Sequence, residues 1–302
     1  MRTLSAIIRR NVTLFFKDKG MLFTSLITPI ILLVLYATFL GNVYRDAFVS
    51  AFPAGMPLSD ALTRAIDGCV GSQLLSSLLA VSCVTVAFCS NLLSVQDKVT
   101  GARADLTVAP VKPSLLALGY YVSTAIVSCM VCLVALGAGL VYLATVGFYL
   151  SLVDVLLLVL DVILLVLFGT ALSSIITYFL SSQGQISAVG TVVSSGYGFI
   201  CGAYMPISSF GEGLQTVLSF LPGTYATALI RNHAMRGAMD EMIELGVPVG
   251  IIEGLRDAVD CNLYFFDRAV GQGAMLAVLC ASVLALTLLY LLINLKHKKR
   301  VS

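Results

Sequence analysis

Long stretches without a charged residue constrain this chain more than any other feature. A membrane-spanning helix needs about 20 consecutive apolar residues. The uncharged windows predict six spans, near residues 21–40, 74–95, 119–145, 152–180, 185–204 and 273–295. Only 11% of the residues are charged and 59% are hydrophobic, whereas about a quarter are charged in a soluble domain. The predicted fold class is therefore an all-α integral membrane protein with one transmembrane domain over residues 1–302.

Three segments outside these spans carry further predictions. Residues 213–230 are apolar but short and contain Pro222, which favours a re-entrant helical segment over a full crossing. Residues 231–268 then form an outer excursion with two short amphipathic helices, whose Met and Ile side chains we expect at the outer membrane interface. The first outer loop, residues 41–72, is predicted to be irregular around Pro53 and Pro57.

The charge distribution predicts the orientation of the chain. The N-terminus, the loop between the second and third spans and the C-terminus together carry 12 basic residues and three acidic ones. The opposite loops carry six Arg, no Lys and 11 acidic residues. Because basic residues remain on the cytoplasmic side, both termini are predicted in the cytoplasm, with the chain in the cell's inner membrane.

Two cytoplasmic segments have features of contact surfaces. Residues 1–19 form an amphipathic helix with basic residues on its polar face, which can lie on membrane lipid or dock a partner. Residues 97–110 are predicted to form a short helix that ends at Pro110. A compact, structured loop of this kind suggests contact with another subunit.

No enzyme motif is present in the sequence. It contains no Gly-Lys pair and therefore no G-x-x-x-x-G-K-[ST] loop, so the chain cannot bind nucleotide phosphates by that route. His233 and His297 are isolated, and we expect both to be solvated loop residues. We predict no catalytic residue, no metal site, no cofactor in this chain and no nucleic acid partner.

Asp154 and Asp161 are acidic residues within the fourth predicted span. Seven residues of helix place them on one face, about 10 Å apart in depth. That separation excludes an intramembrane aspartyl protease, whose two carboxylates converge on one water. A carboxylate near the membrane centre is costly, so Asp161 either lines a path for substrate or protons or joins two helices through a hydrogen bond.

Cys69 and Cys261 both lie in predicted outer loops, where oxidising conditions are common. They are either linked by a disulfide or present as two separate thiols.

Three stretches together resemble the permease subunit of type-2 ATP-binding-cassette (ABC) transporters. The first is "FFKDKGMLF" before the first span, and the second is "QDKVTGARADLTVAPVKPSLLALGY" after the second span. The third is "YMPISSFGEGLQTVLSFLPGTYATALIRNHAMRG", which is similar to the family's re-entrant segment. Its matching positions are Pro206, Pro222, Tyr225, Arg231 and Gly237.

The resemblance implies a second permease, identical or homologous, and a separate cytoplasmic ABC ATPase that binds ATP and Mg²⁺. It implies that the N-terminal interface helix and the 97–110 coupling helix transmit ATPase closure, with a smaller contact at residues 181–185. The expected coupling residues are Asp97, Lys98, Gly101, Arg103, Asp105, Leu106 and Pro110. The expected interface-helix residues are Arg9, Arg10, Phe15, Lys17 and Asp18. The expected translocation-path residues are Asp154, Asp161, Tyr197, Tyr204, Pro206, Pro222 and Tyr225.

The predicted function is export of a hydrophobic or amphipathic substrate such as a drug, lipid or peptide. The absence of Trp makes a polysaccharide conduit, which offers aromatic stacking surfaces, a weaker alternative. A proton-coupled secondary transporter using Asp161 is a second alternative, and a membrane scaffold or sensor without a transport path is a third.

Overall fold

Helices make up most of the protein. The computed structural model describes residues 2–53, 59–108, 111–266 and 268–301. The helices are α1 Arg2–Lys17, α2 Lys19–Leu35, α3 Gly41–Ser50, α4 Asp60–Val99, α5 Ala102–Val108, α6 Pro113–Val146, α7 Leu152–Phe179, α8 Gln183–Ile200, α9 Glu212–Leu218, α10 Pro222–Glu244, α11 Val249–Ala258 and α12 Gln272–Val301. A hairpin of strands β1 Leu263–Phe265 and β2 Arg268–Val270 precedes α12.

Five helical segments of the described residues are long and apolar enough to span a membrane: Lys19–Ser50, Asp60–Val99, Pro113–Val146, Leu152–Phe179 and Gln272–Leu295. The prediction of an all-α membrane protein is thereby confirmed. The predicted span at 185–204 corresponds to α8, which is shorter and less apolar than these five. Its crossing of the membrane stays a prediction.

The first outer loop is helical at both of its ends. A π-helical turn at Tyr36–Leu40 joins α2 to α3, so helix continues through Ser50. The next helix, α4, begins directly after Ser59, whose hydroxyl accepts a hydrogen bond from the Leu62 N–H at 3.2 Å and caps the new helix. The predicted irregular stretch lies between these two helices: Pro53 is outside any helix, and Pro57 lies outside the described residues.

Helix α4 is the centre of the bundle, and nearly all of its spanning window is buried. It packs against α2, α6, α7, α8 and α10. Small residues allow this close contact, because a Cβ at Gly169 of α7 would lie 3.0 Å from the Cα of Val84 on α4. The buried amide of Asn91 also donates hydrogen bonds to the hydroxyls of Ser173 and Ser174, at 3.2 and 3.0 Å.

Helices α1 and α10 lie near opposite ends of the bundle. Ile7 of α1 packs against Leu116 and Tyr120 near the start of α6. At the other end, Asn232 of α10 accepts a hydrogen bond from Gln272, the first residue of α12, at 3.1 Å. The end of the bundle near α10 is therefore the one at which α12 begins.

Helix α10 is more deeply buried than the sequence predicts. Pro222 is its first residue, so the helix runs without a break from the predicted re-entrant segment into the predicted outer excursion. Met235 and Met242, expected at the outer interface, are fully buried in an apolar cluster with Phe48 and Ile66. The expectation failed because the tertiary contacts of α10 extend around the helix, and a single amphipathic face does not describe it.

Candidate functional site

A buried carboxylate joins α1, α4 and α6. The Asp97 carboxylate accepts hydrogen bonds from Nη1 and Nη2 of Arg10 at 2.7 and 3.1 Å, and from the Tyr120 hydroxyl at 2.5 Å. Beside it, the Asn11 amide donates to the Ser123 hydroxyl at 3.2 Å. The hydrogen bond to Asp97 raises the pKa of the Arg10 guanidinium above the ordinary arginine value. These contacts attach the N-terminal helix to two of the long helices.

Asp97 and Lys98 belong to the last turn of α4, outside the short coupling helix. The ammonium group of Lys98 donates to the backbone oxygens of Thr177, Tyr178 and Leu180 at 2.9, 3.0 and 3.2 Å. A cation at this position satisfies carbonyl groups that a helix end leaves without partners. Lys98 therefore holds the end of α7 against the end of α4.

Helix α5 is the short helix predicted between the second and third spans. It follows Gly101, whose φ of +84° favours glycine and turns the chain away from α4. Asp105 is exposed and Arg103 half-buried, whereas Leu106 packs on the cluster of Ile7 and its neighbours. Pro110, the last predicted coupling residue, lies outside the described residues.

The outward face of α1 is basic. Arg9 and Lys17 are exposed and line an open groove with Arg2. Phe15 points the other way and is buried. Asp18 ends the helix and caps α2, since its carboxylate accepts a hydrogen bond from the Met21 N–H at 3.1 Å.

Two carboxylates of α7 contact basic side chains of α10. Oδ2 of Asp161 lies 2.5 Å from Nδ1 of His233, and Oδ1 of Asp154 lies 2.5 Å from Nη2 of Arg236. Asp154 also forms a capping box with Ser151 at the start of α7. The prediction that His233 is a solvated loop residue was wrong, because its side chain is buried against Asp161.

Arg231 is the largest fully buried side chain among the described residues. Its guanidinium donates to the backbone oxygens of Gly202, at 2.9 Å, and Val259. The Asp260 carboxylate lies 3.7 Å away and accepts hydrogen bonds from the N–H groups of Ile207 and Ser208. This buried pair joins α10 to the segments after α8 and after α11.

An open groove runs along α2, α4 and α8. Its volume is about 1050 Å³. Its lining is largely apolar and includes Ile31, Tyr36, Ile186, Phe199 and Tyr204. A cavity of about 250 Å³ near the α1–α2 junction shares part of this lining: Thr24, Cys89, Leu92, Gln183 and Ile186. In space, the groove and the cavity together reach from Asp18, between α1 and α2, to Met205, after the end of α8.

The other predicted path residues lie apart from this groove. Tyr197 is buried near Gly223, and Tyr225 lines a different cavity beside α11. Pro206 precedes a short 3-10 turn, and Pro222 begins α10. Only Tyr204 of the predicted set lines the large groove.

Cys69 and Cys261 are free thiols in the structure, so the disulfide considered for them is not formed there. Both are buried in the same apolar cluster. Burial raises the pKa of the Cys261 thiol to about 11. Among the described residues, no group of three or more His, Cys, Asp or Glu side chains could hold a metal ion.

The fold defines a multi-pass α-helical membrane protein with an amphipathic N-terminal helix attached to its long helices and an apolar groove on one side. The chain belongs to the ABC-2 type transporter family, whose sequence pattern matches residues 2–233. The resemblance to a type-2 ABC permease subunit is confirmed by this match. No curated protein matches the chain. The protein is therefore a membrane component of a transporter.

Proposed function

We propose that this chain is the permease subunit of an ATP-driven exporter. It moves a hydrophobic or amphipathic substrate out of the cytoplasm, and a separate ABC ATPase subunit supplies the energy. The observation that carries the proposal is the groove along α2, α4 and α8 in a chain of the ABC-2 type transporter family.

The chemistry of the groove supports this class of substrate. Ile27, Ile31 and Leu35 of α2 line it as an apolar wall, while Ser187, Ser194 and other small residues of α8 leave space. Polar side chains occur at its end near α1, where Asp18, Gln96 and Gln183 line the adjoining cavity. An amphipathic molecule can place its polar group there and its apolar part along α2.

A second permease copy completes the path in this proposal. The groove is open on one side, and α2 leaves large apolar side chains such as Phe23 and Ile30 exposed beside it. A second copy, identical or homologous, would face the groove across the dimer axis. Membrane lipid covers the remaining apolar surface.

The end of the bundle near α1 is the proposed ATPase contact. The exposed part of α5, the basic face of α1 and the turn at residues 181–185 lie there, and α1 is attached to α4 by Arg10 and Asp97. A moving ATPase bound to α1 and α5 would therefore displace the long helices. In this proposal both termini are cytoplasmic, α8 crosses as the sixth span and α9 with the start of α10 is re-entrant.

Copurification tests the proposal. Residues 102–108 are replaced by a Gly/Ser linker, and Asp97 and Lys98 are kept because they hold α1, α4 and α7 together. We expect the variant to fold but lose both the ATPase subunit and substrate-stimulated ATP hydrolysis. A matched Gly/Ser replacement in α11, at the other end of the bundle, should retain both.

The proton-coupled alternative makes a different prediction. The Asp161–His233 pair is the observation that favours it, since a carboxylate and an imidazole in contact can exchange a proton. Neither side chain lines the groove. Transport at full rate by the reconstituted chain alone, driven by a proton gradient, would contradict the exporter proposal.

A further inference from the structure

The cavity beside α11, which Tyr225 lines, lies at the end of the bundle where α12 begins. Its volume is about 320 Å³, which is near the lower end of the range for small-molecule sites. Residues from the α9 region, the start of α10, the end of α11 and the segment after α11 form its walls. The polar lining includes Gln215, Tyr225, Asp257, Asp260, Asn262 and Tyr264.

The principal donors of this lining are engaged within the protein. The Gln215 amide donates to the backbone oxygens of Ser208 and Phe210 at 3.2 and 2.6 Å. The Asn262 amide donates to Glu253 and Asp257 at 3.1 and 2.9 Å. The hydroxyl of Tyr264 donates to Asp257 Oδ1 at 3.1 Å, and that of Tyr225 to a backbone oxygen of the α9–α10 turn at 2.6 Å.

Two acceptors are left over. Within the described part of the chain, no donor reaches Oδ2 of Asp257 or Oε1 of Gln215. A cavity with engaged donors and unused acceptors favours a ligand that donates hydrogen bonds or carries positive charge.

Of the two carboxylates that line the cavity, one is compensated by a basic side chain and the other is not. Asp260 is buried and compensated by Arg231 and two backbone N–H groups. Asp257 is exposed and forms no ion pair with any residue that the structure describes. The nearby Arg256 is directed to Asn232, at 2.8 Å, and to Asn262. The uncompensated charge facing the cavity is therefore the carboxylate of Asp257.

We propose that this cavity binds a small organic ammonium ion between the Asp257 carboxylate and the rings of Tyr225 and Tyr264. Tyrosine faces attract ammonium groups, and a carboxylate adds charge complementarity. The oxygen of Gln215 accepts a hydrogen bond from a hydroxyl or N–H group on the same ligand. A metal ion is less suited to the cavity, since the described chain offers no cluster of three His, Cys, Asp or Glu side chains.

Choline and its uncharged analogue 3,3-dimethylbutan-1-ol are the matched probes, because they share shape and hydroxyl but differ in charge. Binding is measured by calorimetry on the full chain in phosphatidylglycerol nanodiscs, which contain no ammonium headgroup. We expect saturable binding of choline and at least about tenfold weaker binding of the neutral analogue. Equal binding of the two probes, or no saturable choline binding, would overturn the proposal.

Variants test the assigned residues. Asp257→Asn should weaken choline binding about tenfold, the loss of one charge-assisted contact. Tyr264→Phe should change affinity less than about twofold because the ring remains, whereas Tyr264→Ala should weaken binding clearly. Glu244→Gln is the control, since it removes an exposed carboxylate of α10 that does not line the cavity. Unchanged affinity in Asp257→Asn would contradict the assignment.

The same chemistry is offered by free cations and by lipid headgroups. Adding phosphatidylethanolamine to the nanodiscs separates these sources: competition with choline identifies a headgroup, and unchanged choline affinity identifies a free cation. Both results require that the cavity binds choline in the first place, so both support the proposed cation site. The measurement needs no ATPase, so its failure is distinguishable from a failure of the exporter proposal.

Discussion

Nδ1 of His233 lies 2.5 Å from Oδ2 of Asp161, and both side chains are buried. One helical turn further along α10, Arg236 contacts Asp154 at 2.5 Å. Two carboxylates of α7 are thus matched by two basic side chains of α10. This pairing fixes how α10 lies against the bundle.

The Asp161–His233 contact should contribute measurably to stability. Removing either partner in His233→Ala or Asp161→Ala leaves a buried polar group unsatisfied, at a cost of about 1–3 kcal/mol. We expect the double variant to lose less than the sum of the single variants. Thermal unfolding followed by size-exclusion chromatography measures all three.

A further variant, Asp161→Asn, addresses the role of Asp161. It keeps the side-chain shape, so ATPase copurification should be unchanged. If the stability loss of the double alanine variant equals the sum of the losses of His233→Ala and Asp161→Ala, the two side chains are not coupled.

The Arg10–Asp97 pair should be needed for the attachment of α1. Asp97→Asn removes the charge that Arg10 and Tyr120 contact. We expect a loss of about 1–3 kcal/mol and faster proteolysis between α1 and α2. Arg9→Gln, which changes an exposed cation of the same helix, is the control and should leave proteolysis unchanged.

Gly237 should tolerate no side chain. A Cβ there would overlap the Tyr149 backbone oxygen, since α10 contacts the loop before α7 directly. Gly237→Ala should therefore sharply reduce the yield of folded protein. Gly254→Ala in α11 is the matched control, because nothing lies within 4 Å of its added Cβ. We expect that control to be neutral or to gain about 0.5–1 kcal/mol from helix propensity.

Cys261 should be unreactive in the native protein. Its pKa of about 11 leaves very little thiolate at pH 8, and its side chain is buried. We expect no maleimide labelling of Cys69 or Cys261 until the protein is denatured without reductant. Ser50→Cys, at an exposed position of α3, should label readily as the positive control. Resistance of the denatured protein to labelling would indicate a disulfide instead.

Local sequence was sufficient to predict where the long helices lie in the chain, but not which side chains of different helices contact each other. Leu152–Phe179 matches the predicted fourth span closely, because Ser151 supplies a capping signal and the helix is strongly apolar apart from Asp154 and Asp161. The environment of His233 was missed, because a short polar run gives no indication that it folds back onto a distant helix. The basic residues Arg231, His233 and Arg236, considered beside Asp154 and Asp161, were the available signal.

The lining of the groove was also only partly predictable from the sequence. Tyr204 was predicted to line the path, whereas α2 was treated only as a span, although its apolar side chains form one wall. Which face of an apolar helix meets lipid, protein or a groove depends on packing. When a helix is apolar on every side, its hydropathy pattern does not predict which face takes each role.

Helix α4 extends over 40 residues without interruption, which corresponds to a rod of about 60 Å. One tip carries Asp97, held by Arg10, and the other reaches the apolar cluster around Ile66. A rigid rod of that length amplifies rotation, so a tilt of about 5° at one tip moves the other by about 5 Å. The two ends of the bundle are therefore connected rigidly through the single continuous helix α4.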